Sequence, residues 1–346
     1  MPSGASEPMS VAALGRLPLV TLLLSERCNS RCITCDYWRH GVIDMNLDAV
    51  RRLVPDLLRL RTEVVLISGG EPLLNPEWSQ IAELLRREDV KLWLLTSGLS
   101  LAKHARRVAA LFEAVTVSLD GTDAATYQAI RGLDAFDKVC AGMRAAVQAG
   151  TAVSMRVTVQ RANYRQLPQF ISLARALGVQ QVSFLAVDVA NPHAFARRGD
   201  ITGGLALQPG DLPVLAALLD SLESEQADFQ SGLIAESPRK LRRMHQYFSA
   251  VCGLAPYPQV RCNVFEYSAV VGASGQVNPC FFISGPQTGQ ARAGLEAVLN
   301  QDSMVALRGD IRTGRRAECA RCVCSLWRES NERAVTHFLP RGRTDA

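Results

Sequence analysis

The chain has 346 residues, 48% apolar and 21% charged, an ordinary balance for a globular protein with room for one large domain and a smaller one. A net charge of +5 without a long basic run argues against nucleic acid, and no apolar stretch reaches the ~18 residues of a membrane helix. The start, MPSGASEPMSVAALGRLP, shows no secretory signal, so the expected compartment is the cytoplasm, where ten clustered cysteines read as metal ligands rather than disulfides.

After an N-terminal tail (1–18), apolar runs predict strands at 19–24, 63–67, 90–95, 114–119, 152–159 and 180–187. Helical periods fall at 47–60, 78–87, 102–112, 135–149, 164–177 and 212–222. Buried strands alternating with amphipathic helices predict a parallel α/β sheet over 19–225, a partial (β/α)6 TIM-like barrel with too few repeats to close. A linker and basic helix follow (226–259), with small polar residues at 231–238 and PRKLRRMHQYF at 238–248. In the unit at 260–330, VFEYSAVV, a turn at ASG and QVNPCFF read as a β-hairpin; a helix at 295–308 and ECARCVC (318–324) come next. LPRGRTDA ends a C-terminal tail (331–346).

In such sheets, chemistry sits at the carboxyl ends of the strands. The first strand runs into SERCNSRCITCDYW, the second into SGGEP, the third into TSG and the fourth into SLDG. All four therefore face one mouth. Cys28, Cys32 and Cys35 have C-x3-C-x2-C spacing. Structural zinc asks for four ligands, and a redox pair would leave Cys28 unexplained. A four-iron cluster held by three thiolates leaves one iron open to a non-protein ligand, although most such clusters use four cysteines.

This loop, with SGGEP, TSG and SLDG in order behind it, resembles the radical SAM superfamily. The resemblance implies a [4Fe–4S] cluster on Cys28, Cys32 and Cys35 whose fourth iron chelates S-adenosylmethionine. It also implies reductive cleavage of SAM to methionine and a 5′-deoxyadenosyl radical, with the electron from a flavodoxin or ferredoxin-type donor. Carried residue by residue, it places Tyr37 near the adenine and gives the methionine ammonium to Gly69, Gly70, Glu71 and Pro72. Thr96, Ser97 and Gly98 fall at the ribose, with Ser97 where the family often has Asn. Ser118 and Arg131 match positions that hold the SAM carboxylate. Read alone, several have plainer meanings: Glu71 a helix-entry acid, the glycine pair a turn, Arg131 a solvated charge, Tyr37 a core aromatic.

Four further thiols, Cys262, Cys280, Cys319 and Cys322, could hold zinc or an iron–sulfur cluster, with Cys324 an alternative ligand. Together they resemble the twitch form of the SPASM/twitch extension, which carries one auxiliary [4Fe–4S] cluster. Cys252 reads as a buried apolar thiol, as a further ligand, or as a hydrogen donor over the site. The implied function is oxidation of a small biosynthetic metabolite, the auxiliary cluster accepting the electron left on the substrate. A radical SAM epimerase and a peptide maturase are alternatives, although residues 1–18 are too few for a fused peptide-binding domain. A non-catalytic metal-binding protein is the alternative of another class.

Overall fold

The computed structural model describes residues 13–191, 194–197, 204–286 and 290–328; the tail expected at 331–346 lies outside them. Strand β1 (Leu19–Ser25) leads into a one-turn helix α1 (Tyr37–His40), then α2 (Leu47–Arg59). Four βα steps follow: β2 (Val64–Gly69) and α3 (Trp78–Arg87), β3 (Lys91–Thr96) and α4 (Leu101–Leu111), β4 (Ala114–Ser118) with α5 (Ala124–Arg131) and α6 (Phe136–Gln148), and β5 (Ala152–Val159) with α7 (Leu167–Leu177). After β6 (Gln181–Ala186) come α8 (Leu212–Ser224), α9 (Gln226–Gln230) and α10 (Pro238–Val251).

The chain ends with α11 (Val264–Tyr267), β7 (Ser268–Val271), β8 (Val277–Asn278), α12 (Leu295–Asn300), α13 (Asp302–Arg312) and α14 (Ala317–Ala320). The eight strands form one open sheet in the order β6-β5-β4-β3-β2-β1-β7-β8, parallel except for the last pair. This is the partial TIM-like α/β barrel that the βα rhythm predicts. Val20, Leu22 and Leu24 on one face of β1 are fully buried and Thr21 and Leu23 on the other nearly so, as a strand covered on both faces requires. Among the described residues no helix is long and apolar enough to cross a membrane.

Two readings are corrected, and one helix is added. The 264–271 segment is not all strand: its first four residues form α11, and β7 pairs in parallel with β1, so the hairpin continues the barrel sheet. The polar stretch at 231–238 is no free linker. Ala235 donates to the Val182 carbonyl and Val182 to the Leu233 carbonyl, adding a rudimentary rung beyond β6. Helix α5, which polar residues hide from a periodicity reading, carries Arg131 on its last turn.

Candidate active site

The cysteine loop is pinned from three sides. At its root, Gly70 donates to the Ser25 carbonyl (2.7 Å) and Glu71 to that of Arg27 (2.8 Å). Gly69 takes φ +138°, and a Cβ there would lie 2.3 Å from the Ser25 carbonyl oxygen, so only glycine fits this crossing. On a second side, the Arg31 and Ile33 amides donate to the carbonyls of Arg131 and Ile130 at the end of α5. There Gly132, at φ +72°, lets the loop backbone come within a distance that a Cβ would block. On the third, Asp36 donates to the Phe195 carbonyl and Arg197 Nε to the Thr34 carbonyl (3.1 Å each). Phe195 and Ala196 hold left-handed φ of 59° and 57°, strain concentrated against this loop.

Cys28, Cys32 and Cys35 line one cavity of about 180 Å³, with Gly69, Gly70, Thr96, Ser97, Ser118 and Arg131 on its wall. Of the residues the resemblance assigned to this mouth, Glu71, Pro72 and Tyr37 are not on that wall. Tyr37 opens α1 beside Cys35, burial pushing its phenol to about 12. Pro72 starts a turn of 3-10 helix.

Glu71 is turned inward and fully buried. Its carboxylate accepts from the Thr96 hydroxyl (2.8 and 2.9 Å), the Ser97 amide (2.7 Å), the Ser97 hydroxyl (2.6 Å) and the Leu73 amide (3.1 Å). Burial pushes the Glu71 carboxyl up while these donors pull it back. Its capacity is spent tying the end of β2 to the end of β3, so the glycine backbone rather than this carboxylate faces the cavity.

Arg131 is likewise not a solvated charge. Its Nη2 pairs with Asp120 Oδ2 at 2.7 Å, and Nη1 lies 3.5 Å from the Cys32 sulfur. Asp120 also accepts from the Thr158 amide (2.7 Å), linking β4, β5 and the cysteine loop through one buried pair. Sequence reasoning missed Asp120, although it stands in the quoted SLDG. It also missed Asp188, Phe195 and Arg197 after β6, which line the same cavity. The signal there was a single acid in an otherwise apolar stretch, AVDVA, at the sixth strand end.

The wall fits the cofactors that three thiols imply. Burial pushes Cys28 to about 11 and Cys35 to about 12, so a thiolate here needs a cationic partner such as iron. Ser30 Oγ and Arg131 Nε are buried without a hydrogen-bond partner, two polar groups on the cavity that a polar ligand would satisfy. Among the described residues no three His, Cys, Asp or Glu side chains surround a single-ion point. A four-iron cluster makes a different demand, since each thiolate takes its own iron.

The C-terminal thiols meet elsewhere. Cys262, Cys280, Cys319, Cys322 and Cys324 line one mostly apolar cavity of about 120 Å³. Burial pushes Cys280 to about 12 and Cys319 to about 11, and raises Cys322 and Cys324 too. Asn263 fastens the Cys262 segment to the chain end, exchanging hydrogen bonds with Leu326 and Arg328. Cys252 stays apart from both cavities. It caps α10 and donates to the Leu207 carbonyl (3.3 Å), so the structure does not bring it over the site.

The two cavities adjoin. Phe282, two residues past Cys280, lines both, and Val323, between Cys322 and Cys324, lines the first. A half-barrel with three thiols and a polar cradle at its carboxyl mouth defines a cofactor-dependent enzyme.

The radical SAM superfamily model matches residues 22–174. The chain is 30% identical over 278 residues to GTP 3′,8-cyclase of Klebsiella pneumoniae, covering 80% of that protein. It is 32% identical over 171 residues to pre-heme d1 synthase of Dinoroseobacter shibae, spanning only 42% of that relative's length. In fold it is similar to Streptococcus suis SuiB bound to S-adenosylmethionine (TM-score 0.65, 13% identity, 90% of this chain and 73% of that one). It is also similar to anSMEcpe bound to AdoMet and a peptide (TM-score 0.62, 17% identity, 89% of each chain). The chain belongs to the radical SAM superfamily, whose members bind a [4Fe–4S] cluster and S-adenosylmethionine.

Proposed function

We propose that this radical SAM enzyme oxidises a small biosynthetic metabolite, starting at the first cavity and releasing an electron toward the second. One observation carries the reading: residues flanking the C-terminal cysteines, Phe282 and Val323, line the same cavity as Cys28, Cys32 and Cys35. A substrate seated there lies between the two thiol sets. When bound, the cluster and SAM supply a 5′-deoxyadenosyl radical that takes one hydrogen atom from the substrate.

The protein's own part is to position and to exclude water. Cys28, Cys32 and Cys35 are the proposed ligands of the first cluster. The Gly69–Gly70 backbone, Ser118 and the Arg131 edge bearing the unpartnered Nε are proposed to hold SAM. Thr96 and Ser97 contribute wall and backbone, their hydroxyls being committed to Glu71. Cys262, Cys280, Cys319 and Cys322 are proposed to hold the auxiliary [4Fe–4S] cluster. Asp188 is the proposed substrate contact: Oδ1 accepts from the Ala190 and Asn191 amides (2.8 and 3.1 Å), and the carboxylate borders the cavity.

Anaerobic reconstitution followed by turnover tests this. The expected product is two hydrogens lighter than its substrate, with one 5′-deoxyadenosine per product, from an enzyme holding about eight irons. Similarity to a protein named GTP 3′,8-cyclase favours a second reading, a ring closure; a cyclised product of unchanged mass selects it. Zinc without SAM cleavage would sink both.

A further inference from the structure

Helix α10 carries an unusual load at its start. Ser237 caps it, its hydroxyl accepting from the Lys240 amide, and Arg239, Lys240, Arg242 and Arg243 crowd the first two turns with no acidic residue in the first. Cations are disfavoured at a helix N-terminus, and like charges three or four residues apart repel. Only Arg242 is answered, by Asp220 and Glu223 of α8. Among the described residues Arg239, Lys240 and Arg243 meet no carboxylate at ion-pair distance. Local stability within the helix does not account for this charge.

The arginines open onto a groove of about 590 Å³ between α10 and residues 259–261. Arg261, on its rim, lies 4.0 Å over the ring of Trp327, which is 40% exposed. Exposed arginine beside an aromatic ring is the composition of a protein-binding face rather than of a closed anion pocket. The groove's position is equally specific. Val260 lines both the groove and the apolar cavity of the five C-terminal cysteines. Arg243 lines both the groove and a hollow that reaches Cys322 and Val323. One layer of residues separates the arginines from the thiols.

We infer that this groove is the docking face for an acidic one-electron carrier protein, exchanging electrons beside the C-terminal cysteines. This rests on the reading that those cysteines hold a redox cluster. Electrons balance: SAM cleavage consumes one, and loss of a proton and an electron from the substrate radical returns one. The reduced carrier supplies the first and its oxidised form accepts the second. Charge complementarity steers such encounters and weakens with salt.

The test titrates the reconstituted enzyme with a bacterial flavodoxin and scores binding separately from turnover. Arg239→Glu/Arg243→Glu is expected to weaken binding at least about tenfold at low salt, and the Gln pair by less. Raising salt should erase the difference. With dithionite as reductant, the variants should form 5′-deoxyadenosine at the parent rate, while the flavodoxin-driven rate falls with binding. Unchanged flavodoxin binding overturns the proposal. So does an equal loss with dithionite, which would give the groove to substrate or fold. Parent enzyme that binds flavodoxin through the arginines but lacks the second cluster would keep the docking face and refute the functional reading, with the electron exchange that rests on it.

Discussion

The two thiol sets differ in what surrounds them. The barrel set sits on one eight-residue loop, within a cavity edged by strand-end glycines, Ser30, Ser118 and the Arg131–Asp120 pair. The C-terminal set is gathered from three separated segments into a more apolar hollow, beside which Asn263 fastens neighbouring backbone to the chain end. A wall richer in polar groups suits a site that admits a polar co-substrate. An apolar wall closed by many thiols suits one that holds only its metal. Three cysteines against four or more is thus matched by two kinds of wall.

Breaking that comparison at its strongest point means exchanging single thiols. Cys32→Ser is expected to abolish 5′-deoxyadenosine formation and to remove about half of the iron. Cys280→Ser should remove the other half yet leave dithionite-driven SAM cleavage running; iron analysis and nucleoside chromatography check both. Loss of SAM cleavage in both variants would erase the division of labour.

Asp120→Asn leaves Arg131 buried without its charge partner. It should cost about 3–5 kcal/mol in denaturant unfolding, and adding Arg131→Met should recover part of this. Glu71→Gln removes acceptor capacity from four converging donors and is expected to cost about 1–3 kcal/mol, by the same measurement. Cys252→Ala marks the low end. It loses one weak thiol bond to Leu207, should cost under about 1 kcal/mol, and should leave SAM cleavage unchanged in the assay above.

Much of the barrel was legible because its signals are local. All six parallel strands of the βα repeat lie within two residues of the predicted runs, and the motifs fall at their carboxyl ends. What escaped depended on partners distant in sequence. Glu71 reads as a ligand until Thr96 and Ser97, 25 and 26 residues on, are seen to occupy its carboxylate. Arg131 reads as a surface charge until α5 turns it onto Asp120. Asp188 and Arg197 belong to no motif and reach the cavity only through the path of the chain after β6. Cys252 looked available because spacing cannot show that α10 ends with its thiol aimed at Leu207.

Electron paramagnetic resonance of the reduced, reconstituted enzyme tests the central claim most directly. Two four-iron signals are expected, one of which shifts when SAM is added and vanishes in Cys28→Ser, while the other is indifferent to SAM and vanishes in Cys280→Ser. A single signal, or two that both respond to SAM, would contradict a molecule that starts its chemistry at one thiol set and relieves it at the other.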